Sequence, residues 1–227
     1  MKQVNNTKPK DLHFAVLATD VVVFTISDGE LKVLLTEINL PPHYVNTFGI
    51  PGGLILPNET AEDSVLRHIQ NKIGIKVDYI EQLYTFSSVD RDPRGRVVSV
   101  AYFALVPGSS IDKNTLIEKI SLRSIKKIPQ LAYDHNQMIE KGIERLKAKL
   151  GYTTIIRYLL PTKFTLSELQ SAYEIIFGKS YDKRNFRKKI LELGILKNTN
   201  IQKRDGAHRP ADLYSFSADF NKIFEIL

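Results

Sequence analysis

The residues with most chemical content stand at fixed offsets in one stretch. Gly53 is followed after five residues by Glu59 and after seven more by Arg67, then by His68-Ile69-Gln70-Asn71-Lys72-Ile73-Gly74-Ile75. The pattern predicts a helix over 60–73. Thr60 can cap it, Glu62 and Asp63 suit its electropositive first turn, and Gly74 ends it. Val65, Leu66, Ile69 and Ile73 form an apolar stripe at helical period. Positions 68, 71 and 72 then share one face. Glutamates there would make an oxygen cluster suited to Mg²⁺, which clamps phosphoryl charge and activates water. Here the three positions sum to +1 with His neutral, against −3 for three glutamates. The ammonium of Lys72 repels a divalent ion, so we expect neither a bound metal nor a catalytic residue. As a capped amphipathic helix the stretch is ordinary.

A second stretch, Tyr84-Thr85-Phe86 through Asp90-Arg91-Asp92-Pro93-Arg94-Gly95-Arg96, holds three arginines and two acids between two expected strands. Arginines on a Pro-Gly loop can pair bidentately with phosphates, and Tyr84 or Phe86 can stack on a base. The plain alternative is a charged hairpin loop.

The third stretch lies near the C-terminus. Residues 166–177 read as a helix with Leu166, Leu169, Tyr173 and Ile176 on one stripe, Thr165 or Ser167 as its cap and Glu168 in a capping-box relation. After Gly178-Lys-Ser-Tyr181, Asp182 caps a second helix over 183–193, ended by Gly194. Phe186, Ile190 and Leu193 turn inward. Lys183, Arg184, Asn185, Arg187 and Lys188 remain for the outer face and its flanks. Arg reads guanine edges, Asn reads adenine and Lys holds phosphate. A strand, a basic loop with Arg204, His208 and Arg209, and a returning strand follow, as in the wing of a winged helix. An ordinary helical hairpin or a basic oligomerisation domain is the alternative.

These stretches need a scaffold. Strands are expected over 14–26 and 31–38 around the turn signal Ser27-Asp28-Gly29-Glu30, over 79–87 and 96–106, and over a short 121–128. A helix over 134–150 carries Ile139, Ile143, Leu146 and Leu150 on one stripe, with Asp134 expected as its N-cap and His135 as structural. The fold class is therefore α/β (α+β): a mixed sheet with flanking helices, plus a C-terminal winged helix-turn-helix. We divide the 227 residues into an N-terminal arm over 1–11, expected to be flexible, a ligand-sensing domain over 12–150 and a DNA-binding domain over 151–227.

Composition agrees. The chain is 43% apolar, enough for a packed core, and without cysteine it has no disulfide, thiolate metal site or thiol nucleophile. No run approaches the length of a membrane span and the polar start lacks a signal-peptide core, so a cytoplasmic protein is expected. Net charge is +7, and from Gly151 onward 13 Lys or Arg face 8 Asp or Glu, a net +5. An excess concentrated in the last third points to an anionic partner, nucleic acid first.

The first stretch resembles the Nudix signature: Gly, five residues, Glu, seven residues, Arg-Glu-apolar-x-Glu-Glu-x-Gly-apolar. Gly53, Glu59, Arg67, Ile69, Gly74 and Ile75 are kept, while His68, Asn71 and Lys72 replace the clustered glutamates. The arginine loop resembles that of bacterial ADP-ribose pyrophosphatases and of the Nudix-related transcriptional regulators of NAD metabolism, with Arg96 where those relatives often have Trp. Together with Lys163-Phe164-Thr165-Leu166-x-Glu168-Leu169-Gln170, the basic helix and Arg209-Pro210-Ala211, the chain resembles the NrtR family of such regulators over nearly its whole length.

The resemblance implies a bacterial repressor of NAD-metabolism genes, nucleoid-associated when bound. It implies ADP-ribose or a related nucleotide sugar as effector, held by Arg67, Phe86, Arg91, Asp92 and Arg94, with no cofactor required. Double-stranded operator DNA and a second copy of the chain are the expected partners. The alternatives are an active or weakly active ADP-ribose pyrophosphatase with a basic appendage, in which Glu59 supports residual chemistry, and a sugar-catabolism regulator of the same architecture. An RNA-binding protein is a third reading, without an evident stacking module.

Overall fold

The computed structural model describes residues 14–111, 120–204 and 210–217. The expected arm over 1–11 lies outside them, as do His208 and Arg209. The first half is a seven-stranded mixed sheet. Its spine is β1 (Val16–Ser27), which pairs in parallel with β6 (Val97–Leu105) along nine residues and antiparallel with β2 (Glu30–Leu40) beyond Phe24. The β1–β2 turn has positive φ at Asp28 (53°) and Gly29 (73°), the left-handed pair that matches a two-residue hairpin to strand twist. β3 (Tyr44–Gly49) extends the sheet beyond β2, and β5 (Tyr79–Phe86) closes the other edge beside β6. β4 (Gly52–Leu54) lies on the first half of β1, and β7 (Ile120–Ser124) on β2.

Both sheet faces are covered, so the central strands are apolar throughout rather than alternating. Val21 and Val23 of β1, with Tyr102 and Ala104 of β6, face α1 (Ala61–Lys72) through Val65, Ile69 and Ile73. Val22, Phe24, Ala101, Phe103 and Leu105 face α2 (His135–Leu150) through Met138, Ile139 and Leu146. At Gly142 the helix comes close to the sheet: a Cβ there would meet the Phe24 ring at 3.0 Å.

The second core continues past α2 without a break. It takes in Leu150, then Ile155 and Ile156 of a short 3-10 turn (Ile155–Tyr158), then Phe164 and Tyr173. Those last two belong to a winged helix built from β8 (Phe164–Thr165), α3 (Leu166–Phe177), α4 (Lys183–Glu192), β9 (Leu196–Lys203) and β10 (Ala211–Phe216). Its three strands run in the order β8-β10-β9. The capping box at Thr165 and Glu168 forms as expected, and Gly178 ends α3 at φ 69°.

The expected elements over 14–150 appear with shifted ends, and the last strand is shorter, Ile120–Ser124 rather than 121–128, because a turn begins at Ile125. β3, β4 and β8 were not expected. β4 and β8 are too short to show a period, and β3 follows Pro41-Pro42 without clear alternation. Asp134 stands at the N-cap of α2 but gives its carboxylate to no backbone N–H. Phe24→Ala should cost about 3–5 kcal/mol, read from the urea midpoint, because the fully buried ring fills the gap under Gly142. A loss under about 1 kcal/mol would mean that the helix collapses onto the sheet.

Candidate ligand cavity and nucleic-acid interface

The helix predicted to carry the box is present, and its cap is a reciprocal one: Thr60 Oγ1 accepts from the Asp63 N–H and Asp63 accepts from the Thr60 N–H. Arg67 does not open toward a ligand. Its Nε donates to Glu59 Oε2 at 2.8 Å, and its second nitrogen donates to Glu59 Oε1 at 2.5 Å and to the Leu54 carbonyl at 3.0 Å. The Arg67 bond holds the Glu59 carboxyl down at about 2, so it stays ionised and committed. The surviving pair therefore staples α1 to β4.

The three replaced positions diverge. His68 is buried against Gly53, where a Cβ would come within 2.6 Å of its ring. Burial first, and then the charges of Arg67 and Lys72, lower its pKa. Asn71 is exposed. The Lys72 ammonium donates to the Gly52 carbonyl. The residues present do not fit a divalent ion: among the described residues no three His, Cys, Asp or Glu gather to hold one. A base and an ammonium fill two of the ligand positions.

A cavity of about 320 Å³ opens beside this box, lined by Asp20, Glu37, Asn39, Gly52, Gly53, Lys72, Arg91, Asp92, Arg94, Tyr133 and His135 among others. Of the residues expected to hold an effector, Arg91, Asp92 and Arg94 meet here. Arg67 and Phe86 are not in the lining, and Phe86 packs edge-on against Tyr84. The expectation of a free arginine loop is also changed. Arg91 is buried and donates bidentately to Asp134, at 3.0 and 2.7 Å, with Asp20 at 3.6 Å. Arg94 donates bidentately to Asp92, at 2.9 and 2.7 Å, and lies over the Tyr133 ring.

Asp20 carries no expectation from the sequence, and His135, expected as structural, faces it across this cavity. The signal for Asp20 was available: it is an acid immediately before Val21-Val22-Val23-Phe24, on a strand with both faces covered. Such an acid needs partners. It accepts from Ser99 Oγ at 2.6 Å and faces Arg91 and His135 Nε2, each at 3.6 Å. Burial pushes its pKa up, but His135, Ser99 and Arg91 together bring it below the ordinary value. His135 Nδ1 accepts the Ile50 N–H at 3.1 Å, which fixes the ring proton on Nε2, toward Asp20. Gly52 is required by this crowding, since a Cβ would stand 1.9 Å from Asp20 Oδ1.

In the winged helix, Asp182 caps α4 and Phe186 and Ile190 are buried. Lys183, Arg184, Asn185 and Lys188 are exposed on the opposite side of the helix. Arg187 is half-buried and donates to Ser167 Oγ at 3.0 Å, so it also holds α4 to the start of α3. Arg204 is exposed just after the end of β9. Lys203 pairs with Glu168 at 2.9 Å and ties the wing to α3.

A mixed sheet between two helices, with a glycine-and-helix box at one edge and a winged helix on a shared core, defines a Nudix domain joined to a DNA-binding module. Residues 16–141 match the family model of the NUDIX domain, and residues 156–216 that of the NrtR DNA-binding winged helix domain. Over 217 residues the chain is 33% identical to the ADPR responsive transcriptional repressor NtrR of Acinetobacter baylyi, which covers 91% of this chain and 85% of that protein. The crystal structure of Shewanella oneidensis NrtR complexed with a 27mer DNA superposes with a TM-score of 0.80 at 33% identity, over 92% of this chain and 99% of that one. The NUDIX domain of the same Shewanella protein complexed with ADP ribose matches at 36% identity and a TM-score of 0.52, over 62% of this chain and 94% of that one. The chain belongs to the NrtR family of Nudix-related transcriptional regulators.

Arg91→Ala should lower stability by about 3–5 kcal/mol, because it leaves Asp20 and Asp134 buried without their shared cation. Urea unfolding reads this. An unchanged midpoint would mean that Arg91 is held for a ligand rather than for the fold.

Proposed function

We propose that this protein is an ADP-ribose-responsive repressor of NAD-metabolism genes, and that its Nudix domain senses without hydrolysing. The observation that carries the second half is the Lys72 ammonium, bonded to the Gly52 carbonyl at a position where a metal-binding carboxylate would stand. Without a clamped divalent ion there is no activated water and no neutralisation of phosphoryl charge. Glu59 offers no substitute, since Arg67 and the Leu56 N–H take both of its oxygens. The Acinetobacter repressor and the ADP-ribose complex of the Shewanella Nudix domain support ADP-ribose as the effector. Arg91, Asp92 and Arg94 remain the residues that border it, with Arg67 and Phe86 supporting from outside the cavity.

The division at 150/151 follows the end of α2 at Leu150. Operator DNA meets α4 through Lys183, Arg184, Asn185, Arg187 and Lys188, and the wing through Arg204, His208 and Arg209. One winged helix covers a half-site, so the working form is a homodimer on a two-fold operator with half-sites about 10 base pairs or a multiple apart. Exposed Leu17, Leu54 and Leu56 support pairing through the Nudix domains. They gather where β1 begins and β4 ends, since the Ile55 N–H donates to the Leu17 carbonyl at 3.1 Å. A dimer joined there leaves the basic helix face to DNA, in the bacterial cytoplasm.

The test is a mobility-shift titration on the chain's own upstream DNA, with and without ADP-ribose, beside an assay for Mg²⁺-dependent ADP-ribose hydrolysis. A specific complex whose affinity ADP-ribose changes, and no turnover, is the expected result. Hydrolysis at about 1 s⁻¹ or faster would make it an enzyme. Equal retention of random DNA would remove the regulator. Arg184→Ala should weaken specific binding more than non-specific binding. Lys188→Ala should weaken both and reduce the salt slope by about one.

A further inference from the structure

We infer that Lys72 is an effector-binding residue that takes the place of a metal ion, a fixed ammonium that neutralises the diphosphate of the bound nucleotide sugar. This rests on the effector reading above and names the group that makes it work without metal. The cavity's charges decide the matter. Its cations are Lys72, Arg91 and Arg94, and its acids Asp20, Glu37 and Asp92. The charges of the two arginines are already paired with carboxylates. Arg91 gives two bonds to Asp134, which stands behind the lining, and Arg94 gives two to Asp92. A dianionic ligand that met only these neutralised pairs would be repelled by Glu37 and Asp20.

Lys72 differs from both. Among the described residues its ammonium donates to one neutral acceptor, the Gly52 carbonyl. An ammonium has three donors, so two directions stay open. Asp20, the acid whose charge acts on Lys72, is shared among Ser99, Arg91 and His135 and cannot neutralise a second cation fully. Burial, its largest influence, lowers the Lys72 pKa, while Asp20 pulls it up and Arg67 pushes it down. A diphosphate oxygen supplies the counter-charge that Asp20 does not.

The position is also fixed. Lys72 is the last residue of α1, and α1 is stapled to β4 by Glu59 and Arg67. The cation therefore sits at a set place beside Gly52 and Gly53, which both line the cavity. His68 and Asn71 complete the exchange. Neither carries a negative charge at neutral pH, so nothing at the three replaced positions competes with the phosphate for Lys72.

The experiment is calorimetric titration of ADP-ribose into the full-length wild-type protein, K72M and K72R, in EDTA and in excess Mg²⁺, with urea midpoints for each. The wild type should bind equally with EDTA and with Mg²⁺. K72M should bind at least about tenfold more weakly with its midpoint unchanged, the loss expected for a charged hydrogen bond. K72R should keep affinity within about threefold of wild type. K72M binding as tightly as wild type, or a wild type that requires Mg²⁺, overturns the inference and leaves the effector reading standing. A wild type that binds no ADP-ribose at millimolar concentration in either buffer removes the effector reading and this inference with it.

Discussion

One buried cation holds the sensing half together. The Arg91 guanidinium, in a loop between β5 and β6, lies between Asp134 at the start of α2 and Asp20 in the middle of β1. Three elements meet at this point, and each brings a charge that burial alone would not tolerate. The sheet explains why Asp20 is there at all. β1 pairs with β6 on one side and with β2 and β4 on the other, so its side chains must satisfy themselves on the two faces. The acid does so through Ser99 of β6, Arg91 and His135.

From that cluster α2 runs for 16 residues, about 24 Å, to the linker before the winged helix. Its N-terminal end carries Asp134 and His135 into the cavity region. Near its C-terminal end, Arg145 and Lys149 bind Glu81 of β5, whose neighbour Tyr79 packs on Tyr158 of the linker at 4.9 Å between ring centroids. The core under α2 is the same core that receives Phe164 and Tyr173. The cavity at one end of this helix and the winged helix beyond the other thus belong to one packed body. Coupling between them needs only that the two ligands favour different arrangements of it.

Much of this was legible in the residues. Thr60 with Asp63, Thr165 with Glu168, and Asp182 announced three helix starts, because caps are local chemistry. The exposed row of Lys183, Arg184, Asn185 and Lys188 could be read because Phe186 and Ile190 fixed which side turns inward. The cavity was harder. Arg91 and Arg94 are visible as cations, but Asp134 is not legible as the partner of Arg91, since it stands 43 positions away. Arg67 was drawn toward the effector by its place in the box, while Glu59 in fact holds it against β4. The parallel pairing of β1 with β6 leaves no local trace, because its register depends on strands about eighty positions apart.

In a ligand-responsive regulator, ligand and DNA share one conformational equilibrium. The direct measurement is the ADP-ribose affinity of the free protein and of its operator complex, beside the operator affinity with and without saturating ADP-ribose. The account predicts that the two ratios are equal and lie in the range of about 5–150. Ratios of one, with both ligands binding, would mean that cavity and winged helix are independent, and would contradict it.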